Sequence, residues 1–194
     1  MLTEIISLKN EIEAYFGELK SAIDKLDRHE IELFIQILLN AYNSGNQIFV
    51  MGNGGSAATA SHFVCDLNKG VSFGREKRFK VICLNDNTPT VMAYSNDVNY
   101  DDIFVEQLKN FIQENDVVIG ISGSGNSENI LKAMNYANSK NAITVGLTGY
   151  KGGKLKNIAK HSVNADIENM QLSEDIHAMI LHLVMKSLYN AVRS

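Results

Sequence analysis

The stretch Ile48-Phe49-Val50-Met51-Gly52-Asn53-Gly54-Gly55-Ser56 decides the fold. Four apolar residues of the buried-strand type run into a glycine-rich turn, and the sequence from Ser56 onward reads as a helix. The same order recurs along the chain. Val117–Ile121 leads through Ser122-Gly123-Ser124-Gly125-Asn126-Ser127 to a helix from about Ser127. Ile143–Leu147 leads to Thr148-Gly149 and a short helix, and Val81–Leu84 precedes a helix from about Thr88. Ser162-Val163 is a weak fifth strand, and the single proline, Pro89, sits where a helix can begin. Apolar strands alternating with helices predict an α/β fold, a five-stranded parallel sheet flanked by helices in three layers.

Two helices are expected ahead of this core. Ile5, Leu8, Ile12, Tyr15, Leu19, Ala22 and Leu26 follow a 3-4 spacing that makes a narrow seam. The seam suits either the chain's own domain or a bundle between subunits. Asp27 and Glu30 have the spacing of a capping box and start a helix over 28–43, with Ile31, Phe34, Ile35, Leu38, Ala41 and Tyr42 inward. Asn43-Ser44-Gly45-Asn46 ends it. A final helix carries Ile176, Ile180, Leu183, Val184 and Leu188 on one stripe. The expected organisation is one domain over 1–194, a helical pair at 1–45 and an α/β core at 46–194.

The chain has 194 residues, 45% of them hydrophobic and 21% charged, with a net charge of -4. These are values of a soluble globular protein, and the charge draws in neither nucleic acid nor acidic lipid. Glu4, Lys9, Glu11 and Glu13 argue against a signal-peptide core, and no apolar run approaches the ~20 residues of a membrane span. Cys65 and Cys83 lack metal-ligand spacing and read as buried thiols of a cytoplasmic protein.

Ligands of open parallel sheets sit beyond the carboxyl ends of the strands, where both glycine-serine turns fall. Glycines let amides approach an anion, the next helix adds its dipole, and Ser122, Ser124 and Ser127 add hydroxyls. Either turn alone is equally readable as structural. Two in equivalent places point to a phosphate held without Lys or Arg. The first turn has Ala57 where the dinucleotide fingerprint needs its third glycine, and no Walker lysine follows either turn. No nucleotide is therefore expected.

His62 and Asp66 lie four residues apart on a predicted helix and face one way. The pair suits proton transfer, metal binding or a surface ion pair, and the phosphate turn upstream favours chemistry. Glu174, His177 and His182 lie on the last helix. His177 and His182 are roughly 140° apart around it, and Glu174 and His182 are about 12 Å apart along it. Glu174 and His182 meet at one centre only through an irregular helix start or through two subunits. By spacing alone each also reads as a polar residue packed against a neighbour.

Asn53-Gly54-Gly55-Ser56, His62, Ser95-Asn96-Asp97, Ile121 through Ser127, Glu174-Asp175-Ile176-His177 and His182 together resemble the sugar-isomerase (SIS) family. Within it they are most similar to the phosphoheptose isomerases. The resemblance covers nearly the whole chain. It implies a homotetramer with active sites between subunits, and interconversion of sedoheptulose 7-phosphate and D-glycero-D-manno-heptose 7-phosphate toward surface polysaccharide. It assigns substrate binding to Asn53, Gly54, Gly55, Ser56, Asn96, Asp97, Ser122, Gly123, Ser124, Ser127 and Glu174. It assigns metal binding, zinc by resemblance, to His62, Asp66, Glu174 and His182, and catalysis to Asp66, His182 and Glu174.

Four positions depart from the family pattern: Asp66 where Glu is usual, Glu174 where Gln is usual, Gly123 for Thr, and Cys65 for an acidic residue. The expected reaction is an aldose-ketose isomerisation through an enediol. Its rivals are another phosphosugar isomerase in the same fold and a non-catalytic SIS module that binds a phosphosugar or a protein partner. A related adaptor lacks the distal histidine that His182 supplies here.

Overall fold

Alternation along β1 organises the molecule. In the computed structural model, which describes the backbone of residues 2–193 and the side chains of 7–193, β1 spans Gln47–Gly52. Ile48 and Val50 face one side of the sheet, Phe49 and Met51 the other, and all four are fully buried. A strand buried on both faces must be central and covered by helices on each side. Its neighbours are β2 (Lys80–Cys83) and β3 (Val117–Ser122), followed outward by β4 (Ile143–Gly149) and β5 (His161–Ala165). The order is β2-β1-β3-β4-β5 and every pairing is parallel.

Eight α-helices stand among the described residues. One face of the sheet carries α2 (Arg28–Ser44), α3 (Gly55–Cys65) and α8 (Met170–Ala191), in a core with Phe34, Leu38, Phe63, Ile176 and Leu188. The other carries α5 (Val105–Phe111), α6 (Glu128–Ser139) and α7 (Gly153–Ile158), with Leu108, Ile130, Met134 and Leu155. Each large apolar side chain fully removed from water contributes about 1.5–3 kcal/mol. α4 (Thr88–Asp97) buries none of its side chains.

The starts and stops follow local chemistry. Asp27 Oδ1 accepts from the His29 and Glu30 amides and caps α2, and Gly45 ends it at φ 73° in the left-handed region. On α8 the inward stripe holds Leu181, while Leu183 points outward at 47% exposure, a correction to the expected stripe. α3 does not simply end. It passes into a π-helical turn over Asp66–Val71 that periodicity gave no hint of.

The seam on α1 (Leu2–Asp24) divides in two. Ala22 and Leu26 are buried in the core and Leu19 packs against it. Leu8 and Ile12 are exposed, and Tyr15, also largely exposed, donates its hydroxyl to the Asp175 carboxylate on α8. The side chain of Ile5 lies outside the described residues. Cys83 is buried, and burial pushes its thiol up to about 12. Cys65 is exposed; the expectation of a packed thiol there is corrected, because the position falls on the outer face of α3. No described helix is long and apolar enough to cross a membrane.

Candidate active site

The strand order reverses between β1 and β3, and a crevice opens at their carboxyl ends. A cavity of about 300 Å³ fills it, lined by both glycine-serine turns and by Met170 and Glu174 at the start of α8. α3 rises from the first turn on one face of the sheet and α6 from the second turn on the other. Two helix N-termini, each with amides lacking an intrahelical partner, therefore open on one space.

The turns are held from beneath. Gly54 adopts φ 55° and ψ -122°, a conformation closed to side-chain-bearing residues. Asn85 brackets Gly52, its Oδ1 accepting from the Gly52 amide at 3.1 Å and its Nδ2 donating to the Gly52 carbonyl at 2.8 Å. Asn53 forms a two-way amide pair with buried Asn129, at 2.9 and 3.0 Å, and accepts from the Tyr100 hydroxyl at 2.9 Å. In the second turn the Ser122 and Ser127 hydroxyls lie 3.2 Å apart, and Ser122 Oγ accepts from the Gly125 amide at 3.1 Å. Gly125, at φ 65°, rests on Gly152 and Gly153, and its carbonyl accepts from the Leu155 amide. The Thr148-Gly149 step also braces this turn, because the Gly149 amide donates to the Gly123 carbonyl at 2.9 Å.

Two departures from the family pattern acquire a physical setting here. A β-carbon on Gly123 would lie 3.4 Å from Met170 Cε and nearer still to its sulfur, so the thioether takes the room of the missing side chain. A β-carbon on Gly55 would lie 2.6 Å from Glu174 Oε1 and 2.7 Å from its Cδ. The Glu174 carboxylate therefore sits in the notch left by Gly55, over the first turn of α3. A carboxylate is well placed at a helix N-terminus.

A second grouping lies farther along α3 and α8. His62 Nε2 and His182 Nε2 are 2.9 Å apart, and Asp66 Oδ2 is 3.5 Å from the first and 4.0 Å from the second. The two rings meet edge to face and are more than half exposed. Asp66 stands at the entry to the π-helical turn, and its Oδ2 is buried without a hydrogen-bond partner. An orphaned carboxylate oxygen facing two imidazole nitrogens is a donor set that fits a divalent ion, with positions left for other ligands. His62, Asp66 and His182 thus form a triad able to hold a metal.

Within one chain Glu174 is outside this triad, and Asn96 and Asp97 are outside the crevice. Asn96 donates to Asp97 at 2.7 Å on exposed α4, and Asp97 borders a separate shallow groove with Tyr94 and Val98. His177 is fully buried, neither ring nitrogen makes a well-formed hydrogen bond, and burial pushes its pKa below the ordinary value. Asn85, Tyr100 and Asn129 escaped sequence reasoning. Each is a polar residue distant in sequence that acts by orienting a turn, and no spacing rule marks it.

The SIS domain family model matches residues 13–149. The chain belongs to the SIS family. It is 36% identical over 159 residues to a probable phosphoheptose isomerase of Thermoplasma volcanium, covering 82% of this chain and 81% of that one. It is 34% identical over 185 residues to the phosphoheptose isomerase of Clostridium acetobutylicum, covering 91% and 92%. The solved phosphoheptose isomerase of Neisseria gonorrhoeae superposes with a TM-score of 0.86 at 26% identity, covering 93% of this chain and 98% of that one. Within the SIS family the chain groups with these enzymes, which makes it a phosphosugar isomerase. The expected fold is borne out by the same superposition.

Proposed function

We propose that the chain interconverts sedoheptulose 7-phosphate and D-glycero-D-manno-heptose 7-phosphate through a cis-enediol. One observation carries this reading: a cradle of amides and hydroxyls with no Lys or Arg in its lining accompanies an imidazole–carboxylate cluster in the same chain. The 7-phosphate sits on the Ser122–Ser127 turn, held by Ser122, Ser124, Ser127 and the amides that open α6. Asn53, Gly54, Gly55 and Ser56 line the way for the rest of the sugar, and Asn96 and Asp97 approach it from a neighbouring subunit. Anchoring one end makes proton transfer at the other effectively intramolecular.

Asp66 takes the proton from C1 of the ketose, and His182 donates a proton to the C2 carbonyl oxygen. The enediol then receives the proton from Asp66 at C2, and its C1 hydroxyl returns a proton to His182. Asp66 is preferred to Glu174 as the base because it lies beside His182, whereas Glu174 lies at the anchoring crevice. His62 orients the Asp66 carboxylate. These are the roles of the side chains with no ion bound; His62, Asp66 and His182 would alternatively hold a divalent ion, zinc in this reading, which would supply polarisation of the carbonyl and stabilisation of the enediolate.

Cradle and cluster stand about 10 Å apart along α3, taking Gly55 and His62 as markers. We infer a homotetramer in which neighbouring chains complete the site, working in the cytoplasm on heptose destined for surface polysaccharide. Exposed Leu8, Ile12, Phe16, Met179 and Leu183 supply apolar surface for such contacts. A monomer by light scattering would remove the shared site.

The deciding experiment incubates the protein with sedoheptulose 7-phosphate in deuterated water, with zinc analysis of the same sample. Deuterium at C2 of the aldose product is expected. Tight binding without exchange, with or without added zinc, would replace the enzyme by a phosphosugar-binding module. Turnover of a different ketose phosphate alone would reassign the substrate.

A further inference from the structure

The crevice has two helix N-termini on opposite faces of the sheet, and each is a ready place for a phosphate. The α6 end carries three hydroxyls, from Ser122, Ser124 and Ser127, against one at the α3 end, from Ser56. The α3 end is occupied by Glu174, held in the notch that Gly55 leaves. Among the described residues, Glu174 is the only one with a formal charge in the cavity lining. It is partly buried, and no arginine or lysine shares the lining to offset it.

We propose that Glu174 is a charge filter that restricts the site to sugars bearing a single phosphate. This rests on the phosphosugar reading above and adds a rule of selection to it. A neutral polyol end presents hydroxyls, which donate hydrogen bonds to the carboxylate. A second phosphate at that end would face a like charge at close range, in a partly desolvated crevice with no compensating cation. Without Glu174 the two helix ends would be equivalent in sign, and a bisphosphate would gain from both.

The test uses glucitol 6-phosphate and glucitol 1,6-bisphosphate, which lack a carbonyl and cannot turn over, with affinities measured by calorimetry. The wild type is expected to bind the monophosphate about tenfold or more tighter than the bisphosphate, as one unscreened like-charge contact implies. Glu174→Gln preserves shape and should narrow that preference to about threefold or less, mainly by tightening the bisphosphate. Ser124→Ala should weaken both ligands and leave the preference unchanged. Equal binding of the two ligands by the wild type would overturn the filter. So would an unchanged preference in Glu174→Gln, or one that narrows as much in Ser124→Ala. If the monophosphate itself fails to bind, the phosphosugar reading falls and takes the filter with it. If it binds but no discrimination is seen, only the filter falls.

Discussion

The crevice between β1 and β3 and the cluster on α3 and α8 are built on opposite plans. The crevice is made of backbone and short side chains, and nearly every group that shapes it is already bonded: Asn53 to Asn129 and Tyr100, Gly52 to Asn85, Gly125 to Ser122. The cluster is made of long side chains on helix surfaces, with two imidazole nitrogens face to face and a carboxylate oxygen that has no partner. Binding is prepared by the fold, whereas the chemical end has unspent bonding capacity. Preorganised donors cost nothing to arrange when the ligand arrives, and unsatisfied ligand atoms mark where something else must bind.

The contrast breaks most readily at the cluster. Asp66→Asn and His182→Ala should each lower turnover by about a thousandfold, the scale of a lost acid or base, with secondary structure and assembly unchanged. Steady-state kinetics beside circular dichroism check this; near-normal rates in both variants would end the acid–base assignment. At the crevice the largest effect should come from Gly125→Ala. Its added carbon would lie 2.6 Å from the Gly152 carbonyl carbon at a φ of 65°, so about 2 kcal/mol or more of stability should be lost. A urea midpoint unchanged from wild type would show the turn to be loose.

Smaller effects sharpen the comparison. Asn129→Ala removes the amide pair that orients Asn53. It should raise KM by about fivefold with kcat reduced less, since a hydrogen-bonded positioning contact is worth about 1 kcal/mol. An equal fall in kcat would move Asn53 from anchoring to chemistry. His177 gives the smallest and most conditional effect. Burial lowers its pKa from the ordinary 6.5, so the unfolded chain takes up a proton more readily than the folded one. Its contribution to stability is present above pH 6.5 and is lost as pH falls through 6.5 toward the folded value. Urea midpoints at pH 7.5 and 5.5 should fall on acidification, and His177→Gln should flatten the fall; an equal fall in the variant would assign it to other groups.

The sheet was legible early because its signals are local. Val50 and Ile119 sit in short apolar runs, each run ends in a glycine turn, and a strand buried on both faces admits little else. The pair His62 and Asp66 was legible for the same reason, four residues being one helical turn. Helix faces were read less well. Leu183 and Leu181 exchange places because a stripe on one helix depends on what packs against it. Cys65 looked like a core residue by type, yet it lies on the outside of α3.

The sequence alone determined the order of strands and helices, the two glycine-serine turns, and the residue types available for proton transfer, since each depends on neighbours a few positions away. Only the tertiary structure decided that His182 meets His62 and Asp66 while Glu174 settles against Gly55, eight residues earlier on the same helix. It also decided that Asn85, Tyr100 and Asn129 fasten the first turn. Those contacts join elements far apart along the chain, and their partners are selected by packing across the sheet, which no local spacing encodes.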